Sequence, residues 1–393
     1  MRLLVVSACF PPAWSWGGPV RSIWNMCRGL VEAGADMRVI TTDADLSGRV
    51  EVGRRRREHG MEIRTHAVPV WGGAVAGRYA FAPGSVGALW HEIPRTDLCV
   101  FQGPWTFLLA VGPRICRLRG VPYVVIPRGA LEGISLSEKG SKKRIYLRLV
   151  EARTIARAAA VQFASDLEQR NSLPAIGTTP SFVCENALEP GRRVNPDGSW
   201  LRERLGISAA YRVVGLAGRV HPRKGFEVIV PALARCTPPV HLVSFGSDEA
   251  GYGATVRELS RQFGVSDRVH FCGQLQGEQL QRTYASVDLL VMPSYGESFG
   301  NAALEALAQG TRVLVSDRVP LGGYIEAQGL GAVVSGMNPE DWARQLARLT
   351  QDDSLQDRDR ISRKVRVDYD VKRKGEQLLG KYAELACRNG GRR

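Results

Sequence analysis

Three features of the sequence predict an α/β protein of two doubly wound, Rossmann-like domains. Short apolar runs recur along most of the chain and alternate with stretches of helical periodicity, the pattern of parallel strands joined by crossover helices. Glycines and prolines gather where the apolar runs end. A length of 393 residues, with 44% hydrophobic residues, suits two cores better than one.

The elements follow in order. LLVVSA, a loop CFPPAWSWGGPV, the helix-like RSIWNMCRGLVEAG and the apolar DMRVITTD form a strand–helix–strand unit, which predicts a parallel sheet with a right-handed crossover. Gly17 and Gly18 precede the helix, where missing side chains let a phosphate or sugar approach the backbone; a plain strand-to-helix turn also uses such a pair. Residues 49–95 are less legible. Arg54 to Arg57 read as a solvated segment, with contact to anionic lipid headgroups as the alternative, and residues 71–90 scatter aromatics among glycines. DLCVFQG and VPYVVIPRG are two further strands around a helical LLAVGPRICRLRG, the second ending in Arg128 and Gly129. Lys139, Lys142, Lys143, Arg144 and Arg148 then enter a helix. They read either as a solvated face or as a surface that docks on an anionic membrane or a diphosphate-linked lipid acceptor. AAAVQFAS is a strand, and Ser165 begins the helix after it.

GRRVNPDGS, residues 191–199, has linker composition, so the domains are residues 1–190 and 191–369. In the second, strand YRVVGLAG ends in Arg219-VHPR-Lys224-Gly225. That spacing lets one turn bring a forked and a point cation onto a diphosphate, and Gly218 and Gly225 free the backbone. Helix and strand segments alternate regularly, and TRVLVSD with the loop RVPLGGYIEAQGLGAVV supplies the next strand and a glycine-rich turn.

LLVMPSYGESFGNAALEALAQG, residues 289–310, organises this domain. A buried strand at 289–292 runs through a turn into a helix at 301–309, stopped by Gly310. The backbone around Ser298, Phe299 and Gly300 opens that helix at the carboxyl end of a strand, where open α/β sheets bind phosphates. Glu297 and Glu305 would repel a phosphate, yet they suit the hydroxyls of a polyol attached to it, which describes a sugar nucleotide. The plainer reading is a helix-dipole carboxylate and one solvated Glu.

The spacing Glu297-SFGNAAL-Glu305, together with Gly218-Arg219-VHPR-Lys224-Gly225, resembles the family-4 retaining glycosyltransferases of the GT-B fold, a resemblance that extends with gaps over nearly the whole chain. It implies two Rossmann-like domains facing a cleft, with a last helix at 370–388 packed back on the first. The implied reaction moves a hexosyl group from a UDP- or GDP-linked sugar to the hydroxyl of a glycan or lipid-linked acceptor, without metal or other cofactor. Arg219 and Lys224 would neutralise the leaving diphosphate, Glu297 would hold donor-sugar hydroxyls and Glu305 the ribose. Ser298, Phe299 and Gly300 would face the phosphate or sugar. The Gly17–Gly18 loop would close over the donor, and Phe271 to Leu275 would lie near the base. Arg128 stands nearest the place of a family histidine; it would steady the diphosphate, hold an acceptor phosphate or cap its loop. PSFVCENALEP resembles the family's domain-junction motif, with Asn186 in place and Ala187 where glycine is usual.

A net charge of +14 and a pI near 9.7 imply an acidic partner. A nucleic-acid binder would want a basic stripe with interleaved aromatics or a recognisable module, and neither is present. Eight cysteines without a C-x-x-C pair read as reduced core thiols, and Asp43/Asp45 and Asp368/Asp370 as surface residues, not a metal site. The amino-terminal apolar run reads as a strand, and the longest uncharged run, 16 residues at 98–113, is interrupted by Gly and Pro; both point to a cytoplasmic or peripheral protein. The rival functions are a nucleotide-sugar epimerase of the same fold, for which His221 is the one tempting base, and non-catalytic sugar-nucleotide binding.

Overall fold

The computed structural model describes residues 1–46, 48–69, 79–132, 150–189, 193–194, 198–248, 251–351 and 357–390. The basic stretch at 139–148, residues 71–78 of the glycine–aromatic segment and most of the linker at 191–199 lie outside them. The chain forms two compact units, Met1–Glu189 with Tyr369–Arg393, and Pro190–Asp368.

The first unit is built on an eight-stranded sheet. Its strands are β1 (Arg2–Ser7), β2 (Asp36–Thr42), β5 (Arg55–Glu58), β6 (Met61–His66), β7 (Leu98–Gln102), β8 (Tyr123–Ile126), β9 (Ala160–Phe163) and β10 (Ser181–Val183), while β3 (Ala44–Asp45) and β4 (Gly48–Arg49) pair as a separate antiparallel hairpin. The spatial order is β10-β9-β8-β7-β1-β2-β6-β5. All neighbours are parallel except β5 on β6. Val5 pairs with Val39 on one side and Val100 on the other, so the centre of the sheet is apolar on both faces.

Arg54, Arg55 and Arg57 are exposed, as a solvated segment should be, but the segment is not irregular. Residues 55–58 form an edge strand, because His59 and Gly60, both at positive φ, make the tight turn back into β6. Arg56 is drawn inward to donate to Thr65 Oγ1 at 3.1 Å and to the Pro11 carbonyl. The first helix also begins earlier than its apolar pattern indicates, at Gly18 rather than Arg21, because Pro19 suits the first helical turn. Nor are the D-x-D pairs idle surface groups. Asp43 accepts from Val68 N at 2.8 Å, Asp45 from Ser15 Oγ at 2.5 Å, and Asp368 from Tyr324 OH at 2.7 Å; Asp370 caps the last helix through Arg373 N at 2.9 Å.

The chain leaves this unit after Leu188 and returns beside the same point, where Leu188 bridges Asp370. The returning helix, Val371–Gly390, lies against the helix Gly18–Glu32. A Cβ on Gly29 would sit 2.3 Å from Val371 O, and one on Gly375 would sit 2.0 Å from Gly29 O. Two glycines thus allow a backbone-to-backbone crossing that no side chain could enter.

The second unit has a six-stranded, fully parallel sheet ordered β13-β12-β11-β14-β15-β16. The strands are β11 (Arg212–Ala217), β12 (Val240–Phe245), β13 (Val269–Phe271), β14 (Leu289–Met292), β15 (Arg312–Ser316) and β16 (Gly331–Val334). The segment expected to be a glycine-rich turn holds a short helix, Gly322–Ala327, before β16. Gly322 sits against Val333, with 3.0 Å between its would-be Cβ and Val333 Cγ2, so the glycine here serves packing. Seven of the eight cysteines are buried or half-buried, only Cys387 is exposed, and all are free. Burial pushes the Cys184 and Cys236 thiols up to about 11, leaving them protonated and inert at neutral pH. No helix among the described residues is long and apolar enough to cross a membrane.

Candidate active site

In the second unit the strand order steps from β11 to β14, and the loops after these two neighbours carry the predicted residues. That step is where a doubly wound sheet opens a crevice at its carboxyl edge. After β11, His221 caps a single turn, Pro222–Lys224, by accepting Arg223 N on Nδ1 at 3.2 Å. Gly225 then takes φ 71°, and the turn folds down on the loop after β14. Its backbone comes so close that a Cβ on Gly225 would lie 1.9 Å from Pro293 O. Tyr295 N donates to Arg223 O at 2.9 Å, which ties the two loops together.

This contact aligns two motifs far apart in sequence. Lys224 Nζ reaches Glu297 Oε1 at 2.6 Å, each side chain about one fifth exposed (22% and 20%). Ser294 Oγ donates to the same oxygen at 2.8 Å, and Ser316 Oγ holds the Ser294 carbonyl at 2.7 Å. Burial works to raise the Glu297 carboxyl, but Lys224, Ser294 and Arg223 together hold it below the ordinary carboxylate range. Glu297 is therefore ionised through the neutral range. The stability it lends is present above the usual carboxylate pKa and is lost as pH falls through its lower value in the folded protein.

Glu297, expected to hold donor-sugar hydroxyls, accepts from Lys224 Nζ through Oε1. Glu305, in the helix Asn301–Ala308, accepts Tyr284 OH at 3.0 Å. Arg219 alone of the three named catalytic candidates is exposed, and its side chain is unpaired among the described residues. Phe299 and Gly300 are buried and Ser298 is half-buried; Gly300, at φ 113°, turns the chain into the helix. Glu297 N donates to Arg318 O at 3.4 Å and Leu321 N to Phe299 O at 3.2 Å, so the loop after β15 forms part of this site. Spacing gave no sign of Ser294, Tyr284 or Arg318. Each acts through a fold contact, not a motif.

In the first unit, the Gly17–Gly18 turn and Arg128 come together across one glutamine. Gln102 Nε2 donates to Pro19 O at 3.3 Å, and its Oε1 accepts Arg128 Nε at 3.1 Å. Arg128, at φ 52°, reaches Asn186 Oδ1 with Nη1 at 2.5 Å. The guanidinium is thus held by two side-chain amides and does not cap its own loop. Two buried carboxylates fix the neighbouring loops. Glu168 accepts Gly129 N at 2.5 Å and Ala164 N at 2.8 Å. Glu151 accepts Trp105 N at 2.5 Å, with Trp105 at φ 67°. Nothing in the sequence singled out either acid as a buried acceptor, so only the fold reveals them.

Glu151 is fully buried, its second oxygen has no partner among the described residues, and burial pushes its carboxyl up to about 7. A pKa above the unfolded value means that the folded chain holds the proton more tightly. The resulting stability is complete below about pH 4.5 and falls by roughly 3 kcal/mol as pH rises through 7. A Glu151→Gln variant keeps the bond to Trp105 N. Its gain in unfolding free energy over wild type should therefore be larger at pH 8 than at pH 5, and an equal difference at both would show that Glu151 does not titrate in this range.

Comparison with known families decides what this geometry belongs to. The model described as Glycosyl transferases group 1 matches residues 200–367, and the one described as Glycosyl transferase 4-like domain matches residues 17–181. The chain belongs to the group 1 glycosyltransferases, of family-4 type. Its relatives include D-inositol 3-phosphate glycosyltransferases from Nocardia farcinica, 31% identical over 60% of this chain and 53% of the relative, and from Salinispora arenicola, 37% identical over 39% and 37%. The chain spans about half the length of the curated relatives it matches. Among solved structures, this group 1 glycosyltransferase is similar to Anabaena HepE in complex with UDP and glucose, with TM-score 0.76 and 21% identity over 98% of this chain and 100% of that one. It is equally similar to sucrose-phosphate synthase from Thermosynechococcus elongatus, with TM-score 0.76 and 19% identity over 98% and 99%. These likenesses establish the GT-B fold.

Proposed function

We propose that this protein transfers a hexosyl group from a nucleotide sugar to an acceptor hydroxyl, with retention at the anomeric carbon and without a metal. The observation that carries the reading is the meeting of Lys224 and Glu297 at 2.6 Å at the carboxyl edge of the second sheet, with Arg219 and Arg223 on the same loop as Lys224. Cations gathered there suit a diphosphate whose negative charge grows as the sugar departs, and stabilising that charge lowers the barrier. Glu297, kept ionised, accepts donor-sugar hydroxyls; Glu305, steadied by Tyr284, accepts those of the ribose. The departing phosphate oxygen takes the acceptor proton, so no enzymic base is needed.

UDP in the complexes of a structural neighbour supports a uridine donor, with GDP as the alternative base. The names of the relatives support a hydroxyl-rich acceptor, and a lipid-linked or cell-surface glycan intermediate at the inner face of a membrane is the form we favour. On this reading the Gly17–Gly18 loop serves the donor, and Arg128 serves a phosphate of the donor or the acceptor. Epimerisation draws no support from His221, whose Nδ1 is engaged in capping a turn.

The test is thermal stabilisation by UDP, GDP, ADP and their sugars in EDTA, beside Glu305→Ala. One nucleotide should raise the midpoint by several degrees without metal, and the variant should lose most of that shift. Anomeric configuration of the product, read by NMR, then checks retention. No shift with any nucleotide, or a shift that appears only with a divalent cation, would overturn the metal-free donor site.

A further inference from the structure

The helices Ser85–Glu92 and Phe107–Arg119 pack on each other over one face of the first sheet, burying Leu89, Ile93, Leu108 and Ile115. Their outer side, with the turn Ile93–Arg95 and the helix Ala152–Ala156 beside it, carries an unusual charge distribution. Arg95, Arg114, Arg117, Arg119, Arg153 and Arg157 are all exposed, and none is ion-paired among the described residues. The helix Phe107–Arg119 packs against Ser85–Glu92, Ile93–Arg95 and Ala152–Ala156, so these cations come from neighbouring elements.

The matching carboxylates are withdrawn. Residues 79–132 and 150–157 contain four acids. Glu132 and Glu151 are buried, Glu92 is buried between Arg38 at 2.9 Å and Arg64 at 2.8 Å, and Asp97 is bound by Arg2 at 2.6 Å. Apolar groups stand out among the arginines: Leu118 is 74% exposed, Trp90 48% and Val86 36%. The Arg119 guanidinium lies 3.8 Å from the centre of the Trp90 ring, which keeps both side chains spread on the surface. Leu118 sits between Arg117 and Arg119 at the end of its helix, where cations are also favoured by the helix dipole.

We infer that this face docks on a bilayer containing anionic lipids, with Leu118 and Trp90 entering the headgroup boundary and the surrounding arginines paired with lipid phosphates. Charge alone would serve any polyanion. The exposed leucine and tryptophan select the bilayer, because nucleic acid offers no apolar phase for Leu118, whereas an interface rewards both the apolar side chain and the amphipathic ring. The proposal does not depend on the reaction assigned to the candidate active site.

The experiment is flotation of the full chain with vesicles of phosphatidylcholine, with and without phosphatidylglycerol, across a salt series. Wild type should float with the anionic vesicles, stay behind with phosphatidylcholine alone, and detach as salt rises. Arg117→Gln with Arg119→Gln should weaken partitioning about 25-fold, from roughly fivefold per charge. Leu118→Ser should weaken it by about tenfold at low salt. The charge-matched control, Arg261→Gln with Arg344→Gln on the second unit, should float as wild type does. All these positions are exposed, and unchanged thermal midpoints establish that each variant is folded. Equal loss in the control and the patch variants, wild-type flotation of the Arg117/Arg119 pair variant, or flotation on neutral vesicles would overturn the assignment. So would tighter binding to duplex DNA or RNA that needs the arginines and ignores Leu118.

Discussion

Replacing Gly225 with alanine is expected to destabilise the second unit by about 3–4 kcal/mol and to take the donor site with it. Two effects add. The position holds φ 71° and ψ 36°, a left-handed conformation that costs a residue with a Cβ roughly 1–2 kcal/mol. The new methyl would also meet Pro293 O at 1.9 Å, and a backbone carbonyl cannot rotate away as a side chain does. Relief requires the loop after β11 to lift from the loop after β14, and that movement parts Lys224 from Glu297. Denaturant unfolding measures the first effect and nucleotide-induced stabilisation the second. Gly206→Ala is the control: it too has positive φ, 65°, but nothing lies within 4 Å of its would-be Cβ. A variant at 225 no less stable than the one at 206 would mean that the loops do not pack as described.

Lys224→Ala is expected to slow consumption of the nucleotide sugar by about 10²–10³-fold while weakening nucleotide binding far less. The reason is that the charge Lys224 offsets is largest in the transition state, so its removal falls chiefly on kcat. Its removal also leaves Glu297 without its ion pair, which supplies a second readout. Glu297→Gln should be costly alone, and the double variant should be much less than the sum of the two, because the groups act as a unit. Additive losses, or a Lys224→Ala variant within threefold of wild type, would remove the leaving-group role from Lys224.

Much of the fold was legible because parallel strands buried on both faces must be short and apolar, and because glycine and proline mark where they stop. LLVM at 289–292 and the helix that Gly310 ends were readable to within a residue for that reason. The pair Glu297 and Glu305, and Lys224 beside Gly225, stood out because their combined spacing resembles that of a known family. Elements whose identity depends on a partner were not legible. Arg55–Glu58 is a strand only because β6 offers it an edge, and the glycine-rich 322–327 is helical because it packs on β16.

Sequence alone determined the alternating order of strands and helices, the two-domain length and the residue types available for a diphosphate and its sugar, since these follow from periodicity and composition. Tertiary structure decided which of those residues meet. Lys224 finds Glu297 across 73 positions because Gly225 lets two loops touch, Arg128 is claimed by Gln102 and Asn186, and the Glu151 carboxyl is pushed up because burial removes its water. Side-chain partners and pKa values depend on distance and dielectric, and neither is written in local sequence.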